Sequence, residues 1–201
     1  IKYSAKKDVD LIIIRKSQRK SSKLSLINQN DADKIIASSV CPVIIIGKNW
    51  NESGIKKIML PIDIMQQADK KVNWAMYLAK QFNAHVHIVT AVNVPIPKDQ
   101  SVAFKKGNKI KKQFEDNNIS CDLEIIETIN KKPYTAVIET VDKVNPDIVI
   151  IMTRKEKFSF DKKIGTFATE IIHEAKRPIF SFIPEPDTIF NHLITIMSSD
   201  K

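Results

Sequence analysis

The sequence predicts an α/β fold: a doubly wound parallel five-stranded sheet with helices on both faces, plus a partial second copy of the same unit. Three observations carry this. From Ile55 onward, short apolar runs of strand length alternate with segments of helical period. The runs are apolar throughout, as in Ile148-Val149-Ile150-Ile151-Met152, which marks strands covered on both faces rather than one. The closing part of the pattern also occurs twice. Asp10-Leu11-Ile12-Ile13-Ile14 leads to Cys41-Pro42-Val43-Ile44-Ile45-Ile46, and Asp147 with its run leads to Arg177-Pro178-Ile179-Phe180-Ser181-Phe182. Asp10 and Asp147 lie 137 residues apart, and Pro42 and Pro178 lie 136 apart. A period that long indicates duplicated domains, not a solenoid.

In the longer copy, Ile58–Ile62 is a strand ended by Asp63. Val72, Ala75, Met76 and Ala79 give a helix from about Gln67 to Phe82. Val86–Val92 is the second strand, and Pro95 and Pro97 open a loop. Phe104, Ile110 and Phe114 suggest a helix that Gly107 weakens. Leu123–Thr128 is the third strand. Pro133 suits a first helical turn, with Val137, Ile138, Val141 and Val144 inward. Asn145-Pro146-Asp147 turns into strand four, Ile148–Met152. Thr166–Ala175 is a helix and Ile179–Ile183 the fifth strand. Right-handed crossovers then give a Rossmann-like or flavodoxin-like order. In the shorter copy, Leu11–Ile14 stands for strand four, Ala32, Ile35 and Ile36 line the helix, and Val43–Ile46 stands for strand five.

The expected organisation is therefore residues 1–48 as the end of a first domain, 49–54 as linker, 55–183 as a complete domain, and 184–201 as a tail. Only nine residues precede Asp10, so the chain reads as a fragment. Two exposed fifth strands would be aggregation-prone sheet edges. Val43–Ile46 and Ile179–Phe182 are expected to meet, within the chain or between copies of it. Asp187, followed by Phe190, Leu193 and Met197, predicts a capped amphipathic helix, packed on its own domain or binding a partner.

Composition narrows the function. An apolar share of 43% supports a core, and no run approaches the ~18 apolar residues of a membrane span. The net charge is +9, but the lysines are scattered among acids and aromatics are 7%, so a nucleic-acid partner is not expected. Cys41 and Cys121 form no CxxC pair and read as buried thiols of a reduced, cytoplasmic protein.

The strand end Leu60-Pro61-Ile62-Asp63, the entry Pro146-Asp147 into strand four, and Gly165-Thr166 before a Pro-led last strand resemble the universal stress protein family. The resemblance covers 55–183, and 8–47 as a partial copy. It implies a nucleotide site at the carboxyl ends of the strands, with Pro61 and Asp63 facing base and ribose and Ala91 contacting the base. It also implies that fifth strands pair across a pseudo-dimer. Nucleotide-binding members carry G-x-x-G-x9-G-[ST] after strand four. Here Met152 and Lys155 occupy the first two glycine positions, and only Gly165-Thr166 matches. In the shorter copy Arg15 and Gln18 hold the glycine positions, and Gln29-Asn30 stand for Gly-Ser. A Cβ disfavours positive φ and fills space that a phosphate would take. Arg154, Lys155 and Lys157 could supply charge in place of backbone donors, or form a solvated loop.

Other chemistry is weakly represented. His85 and His87 share a strand face, but no third metal ligand is placed. His173 and His192 have no nucleophile partner at an elbow motif. Asp63 has a structural alternative as a helix N-cap. The reading is a non-enzymatic stress-response protein with a vestigial nucleotide site, no cofactor, and action through self-association or a protein partner. One alternative is an ATP- or AMP-binding sensor using Asp63 and Gly165-Thr166. The other is an adenylating enzyme of similar fold, which needs a glycine-rich loop that Ile64-Met65-Gln66-Gln67 does not provide.

Overall fold

The computed structural model describes residues 9–15, 29–47, 54–63, 68–93, 97–153 and 164–182. Among these residues, seven strands form one sheet: β1 (Ile12–Arg15), β2 (Val43–Ile46), β3 (Lys57–Ile62), β4 (His85–Val92), β5 (Cys121–Glu127), β6 (Ile148–Met152) and β7 (Ile179–Phe182). Among the described residues, five α-helices accompany them: α1 (Gln29–Ser38), α2 (Asp69–Phe82), α3 (Val102–Glu115), α4 (Pro133–Val144) and α5 (Thr166–Glu174). The strand order is β1-β2-β7-β6-β3-β4-β5. The five strands of the longer copy run parallel, with β3 central; β4 and β5 lie on one side of it, β6 and β7 on the other.

The sheet does not stop at five strands. β2 pairs antiparallel with β7, placing Ile44 opposite Phe180, and β1 pairs parallel with β2. The apolar edge of β7 is thereby filled by the matching strand of the shorter copy, which removes an exposed ladder of N–H and C=O groups. The buried Ser181 hydroxyl donates to the Val43 carbonyl at 3.1 Å across this seam.

Each face has its own core. On one, α2 and α3 cover Ile58, Leu60, Ile88, Ile150 and the aromatic pair Phe180 and Phe182. Trp74 packs on these rings, 5.1 Å from Phe180 and 6.3 Å from Phe182 between centroids. On the other, α4, α5 and α1 share a core in which Ile14, Ile36, Val43 and Ile45 of the shorter copy join Val149, Ile171, Ile172 and Ile179. The short copy is thus packed onto the complete one rather than tethered to it. His173 of α5 and Asp33 of α1 meet at 3.0 Å along the same contact.

Several local features have identifiable causes. Gly107 does not weaken α3; it is buried, and a Cβ there would stand 2.7 Å from Leu123 Cδ1, so glycine lets the helix settle on β5. Ser101 caps α3 by accepting from the Phe104 N–H at 3.0 Å. Asn83 and Asn145 end α2 and α4 in the left-handed conformation. The Asp147 carboxylate accepts from the backbone N–H groups of Lys56 and Lys57, both at 2.8 Å, and so anchors the start of β3. This gives the Pro146-Asp147 sequence a structural role. Ile183, Gln67, the tail 184–201 and most of the 49–54 linker lie outside the described residues.

Candidate functional site

The feature that opens a site is a proline in a central strand, where the missing N–H would ordinarily cost a ladder bond. Pro61 avoids that cost by its position. β3 pairs with β4 along its whole length, to Ile62 opposite Thr90, but with β6 only through Ile58 and Met59. Beyond Met59 the two central strands part, at the point where the chain reverses its winding direction. A doubly wound sheet places ligands there.

A cavity of about 620 Å³ occupies this position. Its walls come from the ends of β3 (Pro61, Ile62, Asp63), β4 (Val89, Ala91, Asn93) and β6 (Met152, Thr153), and from the first turns of α4 and α5. Pro61, Asp63, Ala91, Met152, Gly165 and Thr166, six residues expected from the sequence, all line it. Lys155, Arg154 and Lys157 lie outside the described residues.

The local backbone explains how these groups are held. Thr153 ends β6 by donating both its N–H (3.0 Å) and its hydroxyl (3.1 Å) to the Phe182 carbonyl. The Gly165 N–H donates to the Thr153 carbonyl at 2.9 Å, which brings the start of α5 onto the end of β6. Gly165 is the N-cap of α5, with φ −66° and ψ 147°, and no side chain caps the helix. A Cβ on Gly165 would meet Thr153 O at 3.7 Å, an ordinary contact. The fold therefore does not require glycine here; its effect is to leave the cavity wall bare beside the helix N-terminus.

Asp63 is not the N-cap of α2. That position is Ala68, with no side-chain cap, and the helix begins at Asp69 rather than near Gln67. Asp63 instead ends β3, and its carbonyl accepts from the Lys106 ammonium at 3.0 Å. Met152 is 8% exposed and belongs to the core beneath α2, so its side chain partly fills the wall where the family resemblance would place glycine.

Two residues missed in the sequence belong to this wall. Lys71, in the first turn of α2, is 7% exposed, and its ammonium donates to the Pro61 carbonyl at 2.6 Å. A lysine at a helix start gives no periodic signal, because its burial follows only from how α2 crosses the end of β3. Tyr134, at the start of α4, is the other.

The histidines belong elsewhere, at the opposite end of β4. His85 bonds Ser120 and Asp122, at 2.8 and 2.9 Å. His87 sets one ring nitrogen on Asp122 at 2.8 Å and the other on Glu124 at 3.1 Å. Burial would raise the Asp122 carboxyl, but bonds from His85 and His87 and their charge hold it below the ordinary range. Glu124 is likewise held low, burial being outweighed by Lys143 and His87. Burial, with Glu115 nearby, raises the Cys121 thiol. Among the described residues, no group of three or more His, Cys, Asp or Glu side chains could hold a metal ion. Nor, among them, is any helix long and apolar enough to cross a membrane.

A sequence profile of the Universal stress protein family matches residues 54–180. No curated protein sequence matches the chain. Among solved structures, a universal stress protein from Archaeoglobus fulgidus DSM 4304 superposes with a TM-score of 0.69 at 16% identity, covering 93% of this chain and 64% of that one. A Putative Universal Stress Protein from Pseudomonas aeruginosa UCBPP-PA14 gives 0.67 at 18% identity, with 98% and 70% covered. The chain thus spans less than two thirds of the Archaeoglobus protein's length. A universal stress protein in complex with cAMP gives 0.54 at 15% identity, covering 66% of this chain and all of that one. At these identities the structures attest the fold, and the profile match over most of the chain shows that it belongs to the universal stress protein family.

Proposed function

We propose that residues 54–180 form a non-enzymatic stress-response module that binds an adenine nucleoside or its monophosphate by the nucleoside end, with a degenerate grip on further phosphates. The observation that supports this most is that the six described residues expected at a nucleotide site line one cavity where the central strands part. A solved member of the family holds cAMP, which is consistent with this ligand class. In our reading Asp63 faces the ribose, and Pro61 and Ala91 flank the base. Met152 keeps a side chain where a phosphate cradle needs bare backbone. The output is association with a protein partner, because β2 already occupies the outer edge of β7 within the chain. We place the protein in the cytoplasm, consistent with its two free cysteines.

Calorimetry tests the reading. Adenosine and AMP should bind measurably, and Asp63→Ala should weaken both. ATP should bind no better than millimolar, about −4 kcal/mol. Met152→Gly with Lys155→Gly should strengthen ATP. Micromolar ATP binding by the unmodified chain, abolished by that double substitution, would overturn the reading and favour an ATP sensor in which Lys155 holds phosphate.

A further inference from the structure

We propose that β1 is a self-association edge, along which two copies of the chain pair antiparallel about a two-fold axis. No ligand enters this inference, so it stands apart from the nucleoside reading. Among the described residues, β1 and β5 are the two ends of the sheet, and they are built differently. β5 carries Asp122, Glu124 and Glu127 and no basic residue, so a second β5 laid against it would set acid against acid. β1 is Ile12-Ile13-Ile14-Arg15, preceded by Asp10 and Leu11. Leu11 and Ile13 are 41% and 61% exposed. An apolar edge without acidic protection is a template for another strand. It also continues the seam at which β2 already pairs antiparallel with β7.

The backbone decides which residues meet. The Ile12 N–H donates to the Pro42 carbonyl at 3.0 Å, toward β2. Successive residues of a strand turn their N–H and C=O groups to opposite sides, so those of Leu11 and Ile13 point to the open edge. A two-fold axis normal to the sheet keeps each face continuous, and it therefore sets odd-numbered residues against odd-numbered ones. Centred on Ile13, it lets the two Ile13 residues exchange a pair of hydrogen bonds and sets Leu11 of each copy opposite Arg15 of the other. The strand is acidic at its entry and basic at its end. Antiparallel pairing brings Asp10 of each copy to within one position of Arg15 of the other, whereas parallel pairing would set Asp10 on Asp10. Arg15 also has a contact within its own chain, so the sign of its charge at the strand end, not an open donor, orients the pair. The partner this edge fits is a second copy of itself. Pairing β1 with β5 of another copy would instead build an open polymer. One short strand makes a contact below the roughly 1,200 Å² of a stable interface, so the dilute chain is a monomer and pairing is weak.

Sedimentation equilibrium of the whole chain tests this. The average mass should climb from one chain toward two, with a midpoint of about 10–100 µM. Ile13→Lys places like charges on the two-fold axis and should hold the mass at one chain, with unfolding unchanged because Ile13 is exposed. Asp10→Lys should weaken pairing roughly tenfold, since symmetry repeats the repulsion. A wild type that stays monomeric overturns the proposal, as do a dimer that survives Ile13→Lys and polymers that grow past two chains. Amide exchange followed by NMR reads the same edge without any substitution. The Ile13 amide should exchange more slowly as concentration rises, while the Ile12 amide, already bonded to Pro42, should not change. An Ile13 rate independent of concentration overturns the edge assignment.

Discussion

The two copies contain the same sequence pattern and bury it differently. Ile148 and Ile150 of β6 are both fully buried, while their equivalents, Leu11 just before β1 and Ile13 within it, are 41% and 61% exposed. Phe180 and Phe182 are buried under Trp74, and their equivalents Ile44 and Ile46 are half-buried. On the opposite face the copies agree: Ile14, Val43 and Ile45 are as deeply buried as Ile151 and Ile179. The difference is what covers each face. The longer copy has α2 over one side and α5 over the other, whereas the shorter has α1 on one side and no helix corresponding to α2 among the described residues. A strand's apolar run states that it can be buried twice; the neighbouring helices decide whether it is.

The largest effect that can break this comparison comes from one truncation made at both equivalent positions. Ile150→Ala should cost about 2–5 kcal/mol through lost burial and the cavity left behind. Ile13→Ala should stay within about 0.5 kcal/mol, as an exposed substitution does. Chemical denaturation of both variants measures it, and equal losses would mean that β1 is covered in solution.

The seam between the copies should show a smaller effect. Ser181→Ala removes the hydroxyl bond to the Val43 carbonyl and keeps the backbone pairing of these two residues, costing about 0.5–1.5 kcal/mol. Hydrogen exchange should then quicken in Val43–Ile45 more than in β4. Uniform change through the sheet would show that the seam has no separate stability.

Gly165→Ala separates fold from ligand. With φ at −66° and the nearest contact at 3.7 Å, alanine should leave unfolding within about 1 kcal/mol of wild type, slightly stabilised if anything. AMP affinity should fall, because the new methyl occupies the cavity wall. A large loss of stability would instead make Gly165 a packing residue, as Gly107 is.

The smallest expected effect is a change with pH. Asp122 and Glu124 have folded values below their ordinary range, so their contribution to stability is present above the unfolded carboxyl pKa, about 4, and is lost as pH falls through the folded values. Asp122 is exposed and Glu124 partly so, and salt should damp the effect. Melting curves from pH 6 down to pH 3 should show a shallower acid limb for Asp122→Asn than for wild type. Superimposable limbs would remove the His87 cluster as a source of acid sensitivity.

Much was legible in the chain alone. Strand and helix order and the repeat follow from local pattern, because periodicity reports which faces a segment can bury. The six described cavity residues, Pro61 among them, were expected from the resemblance of their motifs to the universal stress protein family. What the sequence could not decide was set by contacts between segments distant along the chain. It left open whether β2 and β7 would meet within one molecule. It allowed Asp63 to be a helix cap, which only the start of α2 at Asp69 excludes. It gave Gly107 as a weakness, when Leu123 makes it a fit. Above all it gave no sign that Lys71 is buried at the cavity wall, since the burial of a charged side chain depends on how one helix crosses one strand end. The chain determined which segments could form a sheet and where a ligand crevice would open; packing decided which apolar faces were covered and which cation was enclosed there.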